Sequence, residues 1–281
     1  MLKIPNFNTQ KELLAFIVEN KETLTTQKKS AIKYADGIGV STTQLQVNKQ
    51  DVNKSDADEN TSTDLTVKVV INTTGILDSH GDVHAKGIWN KSIKENTRIM
   101  HVQEHKSYEF DKIISSGEDL SVSVKSYPWK TLGYDAEGST QALVFDSTVK
   151  EARNPYMYNQ YKKGYVDNHS VGMRYVKMEL AVNDTDYEKE KAFWDKHIEN
   201  VVNKEEAEQK GFFWVIFEAK VIEGSAVPSG SNPITPTINT KSEPSLLEMI
   251  GKVDTQETKA AVSTFNVSSA ISKININLKN N

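Results

Sequence analysis

The sequence DNHSVGMRY, at residues 167–175, alternates small, apolar and polar residues in the way that is typical of a β-strand. On a strand, Ser170, Gly172 and Arg174 project from one face of the sheet. The adjacent His169 projects from the opposite face, so we expect it to point away from Ser170. The segment therefore predicts a strand that presents a serine beside a glycine and a cation.

A serine becomes an effective nucleophile when a neighbouring base takes its proton, and an acid usually orients that base. The upstream segment HVQEHK, residues 101–106, supplies two histidines. We expect His105 to be the base, with His101 as the reserve. The serine and its base meet through the fold rather than through sequence distance. Spacing in the sequence therefore does not decide whether His105 or His101 is the base.

The downstream segment FEAKVIEGSAVPSGSNP, residues 217–233, supplies the acid. Glu223 ends a strand whose apolar residues should hold it rigidly, and Glu218 is the reserve acid. We expect Gly172 to leave room for a substrate backbone, and Arg174 to contribute positive potential near a developing oxyanion.

Composition narrows the possible functions. The chain has 281 residues, 37% hydrophobic and 26% charged, with a formal net charge of -4, which predicts a soluble protein without a basic nucleic-acid footprint. The absence of cysteine excludes a disulfide scaffold, a thiolate nucleophile and a cysteine-based zinc site. The N-terminus lacks a signal peptide pattern, and no apolar run approaches the ~18 residues of a membrane span. We therefore expect neither a membrane nor a nucleic-acid partner.

Many predicted strands separated by isolated helices indicate a β-rich α+β fold. Thr9 and Glu12 form a capping-box pattern that predicts a helix at the N-terminus. Composition divides the chain into an N-terminal helical arm at residues 1–40, a polar linker at 41–64, a main domain at 65–235 and a flexible C-terminal tail at 236–281.

The order of motifs resembles the prohead proteases of tailed phages, which are serine peptidases related in fold to the herpesvirus assemblins. The matching features are DSHGD at residues 78–82, His105, SVG at residues 170–172, and EGSAVPSGSNP at residues 223–233. One departure is Gly224, where the family usually has an aliphatic residue. The resemblance implies an assemblin-like β-barrel with surrounding helices over residues 65–235.

The same resemblance implies an activity and partners. The catalytic residues would be Ser170, His105 and Glu223, with no cofactor and no metal. The substrates would be scaffold or major capsid protein segments, cleaved inside the immature capsid in the host cytoplasm. Self-association and self-cleavage are also implied, with the N-terminal arm and the C-terminal tail as the removable pieces.

Two alternatives stay open at this point. A capsid assembly or scaffolding protein on the same fold would bind the shell without cutting it. A zinc peptidase would use HVQEH as the inverted motif H-x-x-E-H, with His101 and His105 as ligands on one helical face and Glu104 as the base. The flanking sequence lacks the apolar periodicity of a helix. Asp78 and Asp82 are interpreted as turn residues rather than as cation ligands.

Overall fold

The computed structural model describes residues 5–32, 64–96 and 98–242. Their helices are α1 (Gln10–Glu19), α2 (Lys21–Ser30), α3 (Asn90–Glu95), α4 (Pro155–Lys162), α5 (Glu188–His197) and α6 (Lys204–Lys210). Their strands are β1 (Leu65–Thr73), β2 (Asp82–His84), β3 (Met100–Gln103), β4 (Ile113–Ser116), β5 (Leu120–Pro128), β6 (Ser139–Val149), β7 (His169–Val182), β8 (Phe212–Ala226) and β9 (Thr237–Ser242). The fold class is therefore α+β, as the sequence predicts.

The strands form two sheets. The first has four strands in the order β5-β6-β1-β9, all antiparallel. The second has five strands and is built around β8, which pairs with β7 along nearly its whole length. The short strands β2 and β3 run parallel to β8 at its two ends, and β4 continues the sheet beyond β3. The sequence of residues 112–126, with a turn at Gly117-Glu118-Asp119, predicts a pair of strands, but the corresponding β4 and β5 lie in different sheets.

The sheets do not close into a barrel within the described residues, so the β-barrel implied by the resemblance is corrected to two open sheets. They pack against each other through a shared apolar core. A Cβ atom on Gly224 of β8 would lie 2.4 Å from Cε2 of Phe145 and 2.9 Å from Cδ1 of Ile71, both in the first sheet. Glycine at this position therefore lets the two sheets approach closely.

The N-terminal helices pack on the main domain. The hydroxyl of Thr9 accepts a hydrogen bond from the backbone N–H of Glu12 at 3.2 Å, which caps α1 as the sequence predicts. Leu14 and Ile17 are buried in the main core. In α2, the ammonium group of Lys28 forms an ion pair with Asp82. Within the described residues, the predicted arm is therefore an integral layer of the fold.

The C-terminal boundary also differs from the prediction. The segment TINTKS forms β9 and pairs with β1, so the tail predicted to begin at residue 236 starts within a sheet. The segment contains one apolar residue, and a polar edge strand gives almost no periodic signal. Residues 33–63 and 243–281 lie outside the described residues, and with them most of the predicted linker and tail. No helix in the described part of the chain is both long enough and apolar enough to cross a membrane.

Candidate functional site

The pairing of β7 with β8 puts Ser170 and Glu223 on the same face of the second sheet. Ser170 is in register with Ser225, and Gly172 is in register with Glu223. Residues that face each other directly in an antiparallel pair share a face, and diagonal neighbours have Cα atoms roughly 7–8 Å apart. Ser170 and Glu223 are such diagonal neighbours, and both residues are buried, at 4% and 0% exposure.

His105 reaches this face from the turn that follows β3. Its Nδ1 nitrogen lies 2.6 Å from Oε1 of Glu223. With the carboxylate ionised, Nδ1 must be the donor, so the lone pair of the neutral ring is on Nε2. That is the tautomer required of a general base whose other nitrogen is held by an acid.

Burial dominates the electrostatics of Glu223. Desolvation raises the pKa of its carboxyl group, and the hydrogen bond and charge of His105 oppose that rise only in part. Its second oxygen, Oε2, is buried and has no hydrogen-bond partner among the described residues. His105 is thus the interaction that stabilises the ionised carboxylate in this dry environment.

Gly172 makes room for this carboxylate. A Cβ atom on Gly172 would lie 2.1 Å from Oε1 and 2.8 Å from Cδ of Glu223. The interpretation that Gly172 leaves space for a substrate backbone is therefore corrected, because the acid already fills that space. Glycine is needed here since any side chain would displace Glu223 from the position in which it holds His105.

The turn that carries His105 has an unusual backbone. Glu104 and His105 have φ angles of 50° and 59°, in the left-handed region that residues with a side chain seldom adopt. Two hydrogen bonds attach the turn to β8: Glu104 N–H donates to the carbonyl of Ala226 at 3.0 Å, and His105 N–H donates to the hydroxyl of Ser225 at 2.8 Å. Such conformations are kept only where the surrounding structure holds them.

No family model, no curated protein and no solved structure matches the chain. The function is therefore inferred from the chemistry of this site and from the order of its motifs.

Arg174 lies on the face of Ser170 but farther along β7. It is exposed and in register with Lys220, so two cations face each other there. Four residues of strand separate it from Ser170, roughly 13 Å. A role for Arg174 is thus limited to long-range potential unless its side chain extends toward the serine.

The reserve residues are engaged elsewhere. His101 is in register with Gly224 and lies in the core between the sheets, where its ring packs edge-on against Phe145 at 5.9 Å. Glu218 forms a surface ion pair with Lys91 at 3.2 Å. Neither side chain takes part in the contact that joins His105 to Glu223.

His169 faces away from Ser170, as the alternation predicts, and belongs to a buried hydrogen-bond chain. Its Nδ1 lies 2.8 Å from the carbonyl of Thr235 and must donate, so its Nε2 accepts from the hydroxyl of Tyr161 at 2.9 Å. The Tyr161 oxygen in turn accepts from Nε2 of His101 at 3.1 Å. Burial lowers the pKa of His169 to about 4, so the ring is neutral and this direction is consistent.

The chain continues from His101 to two serines. Its Nδ1 accepts from the hydroxyl of Ser147 at 2.9 Å, and the hydroxyl of Ser115 lies 2.6 Å from that of Ser147. Burial lowers the pKa of His101 well below its ordinary value, and the nearby His169 acts in the same direction. His101 is therefore a neutral core residue rather than a base at the surface.

The HVQEH segment does not form the helix that a zinc site would need. His101 is on β3, whereas Glu104 and His105 are in the turn after it. The possible ligand atoms of another group, Asp78, His80 and Asp82, do lie within 4.8 Å of one another.

Turn contacts and ion pairing account for the acidic members of that group. Asp78 Oδ1 accepts from the backbone N–H groups of His80 and Asp82, each at 2.9 Å. Asp82 accepts from the hydroxyl of Tyr175 at 2.7 Å and pairs with Lys28. The turn interpretation therefore holds for Asp78, whereas Asp82 begins β2 and its side chain bonds residues of α2 and β7.

Sequence reasoning missed the contribution of Ser225 to this site and, elsewhere in the fold, the ion pair between Lys28 and Asp82. Ser225 lies two residues after Glu223, so the period of a strand was sufficient to place both side chains on one face. The ion pair between Lys28 and Asp82 had no such signal, because it joins residues from separate elements.

Proposed function

We propose that this protein is a serine endopeptidase with Ser170 as nucleophile, His105 as general base and Glu223 as the acid that orients His105. The observation that carries the proposal is the 2.6 Å contact between His105 Nδ1 and a fully buried carboxylate. Ser170 lies on the neighbouring strand, on the same sheet face. A buried imidazole–carboxylate pair beside a serine suits acyl transfer, because each group has the role that this chemistry requires.

In the proposed reaction, Ser170 Oγ forms a bond to the scissile carbonyl carbon while its proton passes to Nε2 of His105. The tetrahedral intermediate collapses and expels the amine, which takes that proton. Water then attacks the acyl-enzyme, again losing a proton to His105, and the carboxylic acid leaves as Ser170 recovers its proton. Glu223 stays ionised and stabilises the imidazolium that forms in each half of the reaction.

The developing oxyanion needs donors that are already in place. We assign this role to backbone N–H groups near Ser170, with Arg174 contributing positive potential from the same sheet face. No cofactor and no metal enters this mechanism.

We further propose that the peptidase acts in virus prohead maturation and that its two-sheet domain is assemblin-like. The support is the ordered set of motifs across residues 78–233. Its partners would be the major capsid protein and scaffold segments within the immature capsid in the host cytoplasm, with self-association between copies.

Self-cleavage is proposed at positions beyond residue 242. Removal of the N-terminal helices is not favoured, because Leu14 and Ile17 are buried in the main core. It would also remove the ion pair that Lys28 makes with the buried Asp82.

Co-expression with the major capsid protein tests the function. Wild type, Ser170→Ala and the control Ser121→Ala, which alters an exposed serine on β5, are compared by intact mass. We expect capsid or self fragments in the wild type and the control, and none in Ser170→Ala. A complex that forms without cleavage in any variant indicates the assembly protein instead. Cleavage that persists in Ser170→Ala and stops with a chelator indicates the zinc peptidase.

A further inference from the structure

The hydroxyl group of Ser225 joins its own strand, β8, to the end of β3 and to the turn that carries His105. Its Oγ accepts the backbone N–H of His105 at 2.8 Å and donates to the carbonyl of Val102 at 3.2 Å. The residue is completely buried.

Just after β3 ends, a hydrogen bond from the backbone of His105 to the hydroxyl of Ser225 takes the place of a backbone–backbone ladder bond. Val102 is in register with Ser225, and the chain then turns outward through Glu104 and His105. The turn carries the N–H of the half-buried His105 away from the regular ladder, so this donor needs an acceptor outside the ladder. The side chain of Ser225 supplies this acceptor and satisfies a strand carbonyl at the same time.

Glu223 and Ser225 thus hold the same histidine at two points. They are alternate residues of β8 and share a face. Glu223 binds the ring of His105, and Ser225 binds its backbone. Two fixed points on one strand determine both the location and the orientation of the imidazole, and Ser225 is the one that holds the backbone of His105 itself, since the other turn contact, from Glu104 N–H to Ala226, lies one residue earlier.

We infer that Ser225 is the positioning residue that keeps His105 in its left-handed turn and its imidazole on Glu223. This inference rests on the proposed function for its catalytic consequence. Loss of the hydroxyl leaves the His105 N–H without its acceptor, and the two residues with positive φ relax toward ordinary backbone conformations. The ring then samples orientations in which Nδ1 no longer lies against Glu223.

The test compares Ser225→Ala with Ser115→Ala. The control also removes a completely buried serine hydroxyl, but one that bonds Ser147 rather than the His105 turn. Proteins labelled with ¹⁵N-histidine are measured by NMR, with His105→Gln assigning the signal. We expect wild type and Ser115→Ala to show the Nδ1–H tautomer with a strongly downfield proton. In Ser225→Ala that proton signal is lost and the tautomers mix.

Reaction with an alkyl fluorophosphonate provides the kinetic measurement. Ser170 Oγ bonds to phosphorus, fluoride leaves, and the proton passes to His105. We expect the saturating labelling rate of Ser225→Ala to fall at least tenfold, with the half-saturating probe concentration changed less than twofold. Ser225→Thr, which keeps the hydroxyl, should recover the NMR signal and most of the rate; it also covers the case in which Ser225→Ala fails to fold.

An unchanged His105 signal in folded Ser225→Ala overturns the inference, as does an equal loss in Ser115→Ala. If the wild type shows no reaction with the probe but its Nδ1 signal still depends on Ser225, the positioning stands and the peptidase function fails. The two claims are therefore separable.

Discussion

His105 Nδ1 lies 2.6 Å from Oε1 of Glu223, a carboxylate that has no exposure to solvent. Removing a carboxylate from water is costly unless a partner stabilises its charge. Burial raises the pKa of Glu223, so keeping this carboxyl group ionised costs folding free energy. The ionised group in turn orients the imidazole of His105. Such arrangements are typical of functional sites rather than of surface ion pairs.

Glu223→Gln tests the charge of this pair. Glutamine keeps the shape of the side chain but does not hold His105 in the Nδ1–H tautomer or stabilise the imidazolium. We expect Ser170 to react with a fluorophosphonate about 10³- to 10⁴-fold more slowly, as for the loss of the acid in comparable triads. The matched control Glu218→Gln alters a surface carboxylate paired with Lys91 and should react at the wild-type rate.

Gly172→Ala tests the close packing of the acid. The added methyl group would overlap Glu223 Oε1, so we expect a loss of about 1–3 kcal/mol in the free energy of unfolding. In a Glu223→Ala background the obstructing carboxyl is absent, and the same substitution should cost much less. Urea denaturation of the four proteins measures the coupling. Equal costs in both backgrounds would show that the steric conflict lies elsewhere.

The buried histidine chain predicts acid sensitivity. The pKa of His169 is lowered to about 4 in the folded protein, against 6.5 for an unperturbed histidine. The unfolded chain therefore binds more protons between these values, and stability falls as pH decreases from about 6.5 to about 4, by up to ~1.4 kcal/mol per pH unit for this group. His101 adds to the loss, because its pKa is also lowered.

Denaturation at pH 7.5, 6 and 5 measures this dependence. His169→Gln removes one titrating group, so its stability should depend less steeply on pH than that of the wild type. A parallel pH dependence in the two proteins would contradict the assignment.

Lys28→Met tests the docking of the N-terminal helices. The substitution removes one charged donor from the buried Asp82 carboxylate, which keeps the hydroxyl of Tyr175, so we expect a loss of about 1.5–3 kcal/mol, measured by urea denaturation. Lys11→Met is the matched control, since the ion pair of Lys11 with Asp186 is exposed and should contribute at most ~1 kcal/mol. Similar small effects of both variants would indicate that Asp82 is neutral or solvated.

The sequence predicts the elements better than their arrangement. Alternation of residue types locates the start of β7 and an apolar run locates β8, and both strands are buried over most of their length. β9 escapes prediction because its pairing with β1 uses backbone groups, which every residue has. The separation of β4 from β5 is a tertiary outcome that no local pattern encodes.

In the candidate site, too, the sequence predicts the individual residues better than the contacts between them. His105 and Glu223 are 118 residues apart, so no spacing rule in the sequence shows that they meet. The function of Gly172 depends on the side chain of a different strand, which explains why sequence reasoning assigned its space to substrate. The sequence also did not predict the role of the Ser225 hydroxyl, since its partners are backbone groups of β3 and of the turn after it.

The most direct measurement is the intact mass of the folded protein after reaction with an alkyl fluorophosphonate, followed by peptide mapping. The proposed triad predicts one adduct, located on Ser170, that is absent in Ser170→Ala and strongly reduced in His105→Ala. A wild-type protein that stays unmodified, or an adduct that persists in Ser170→Ala, would contradict the assignment of Ser170 as an activated nucleophile.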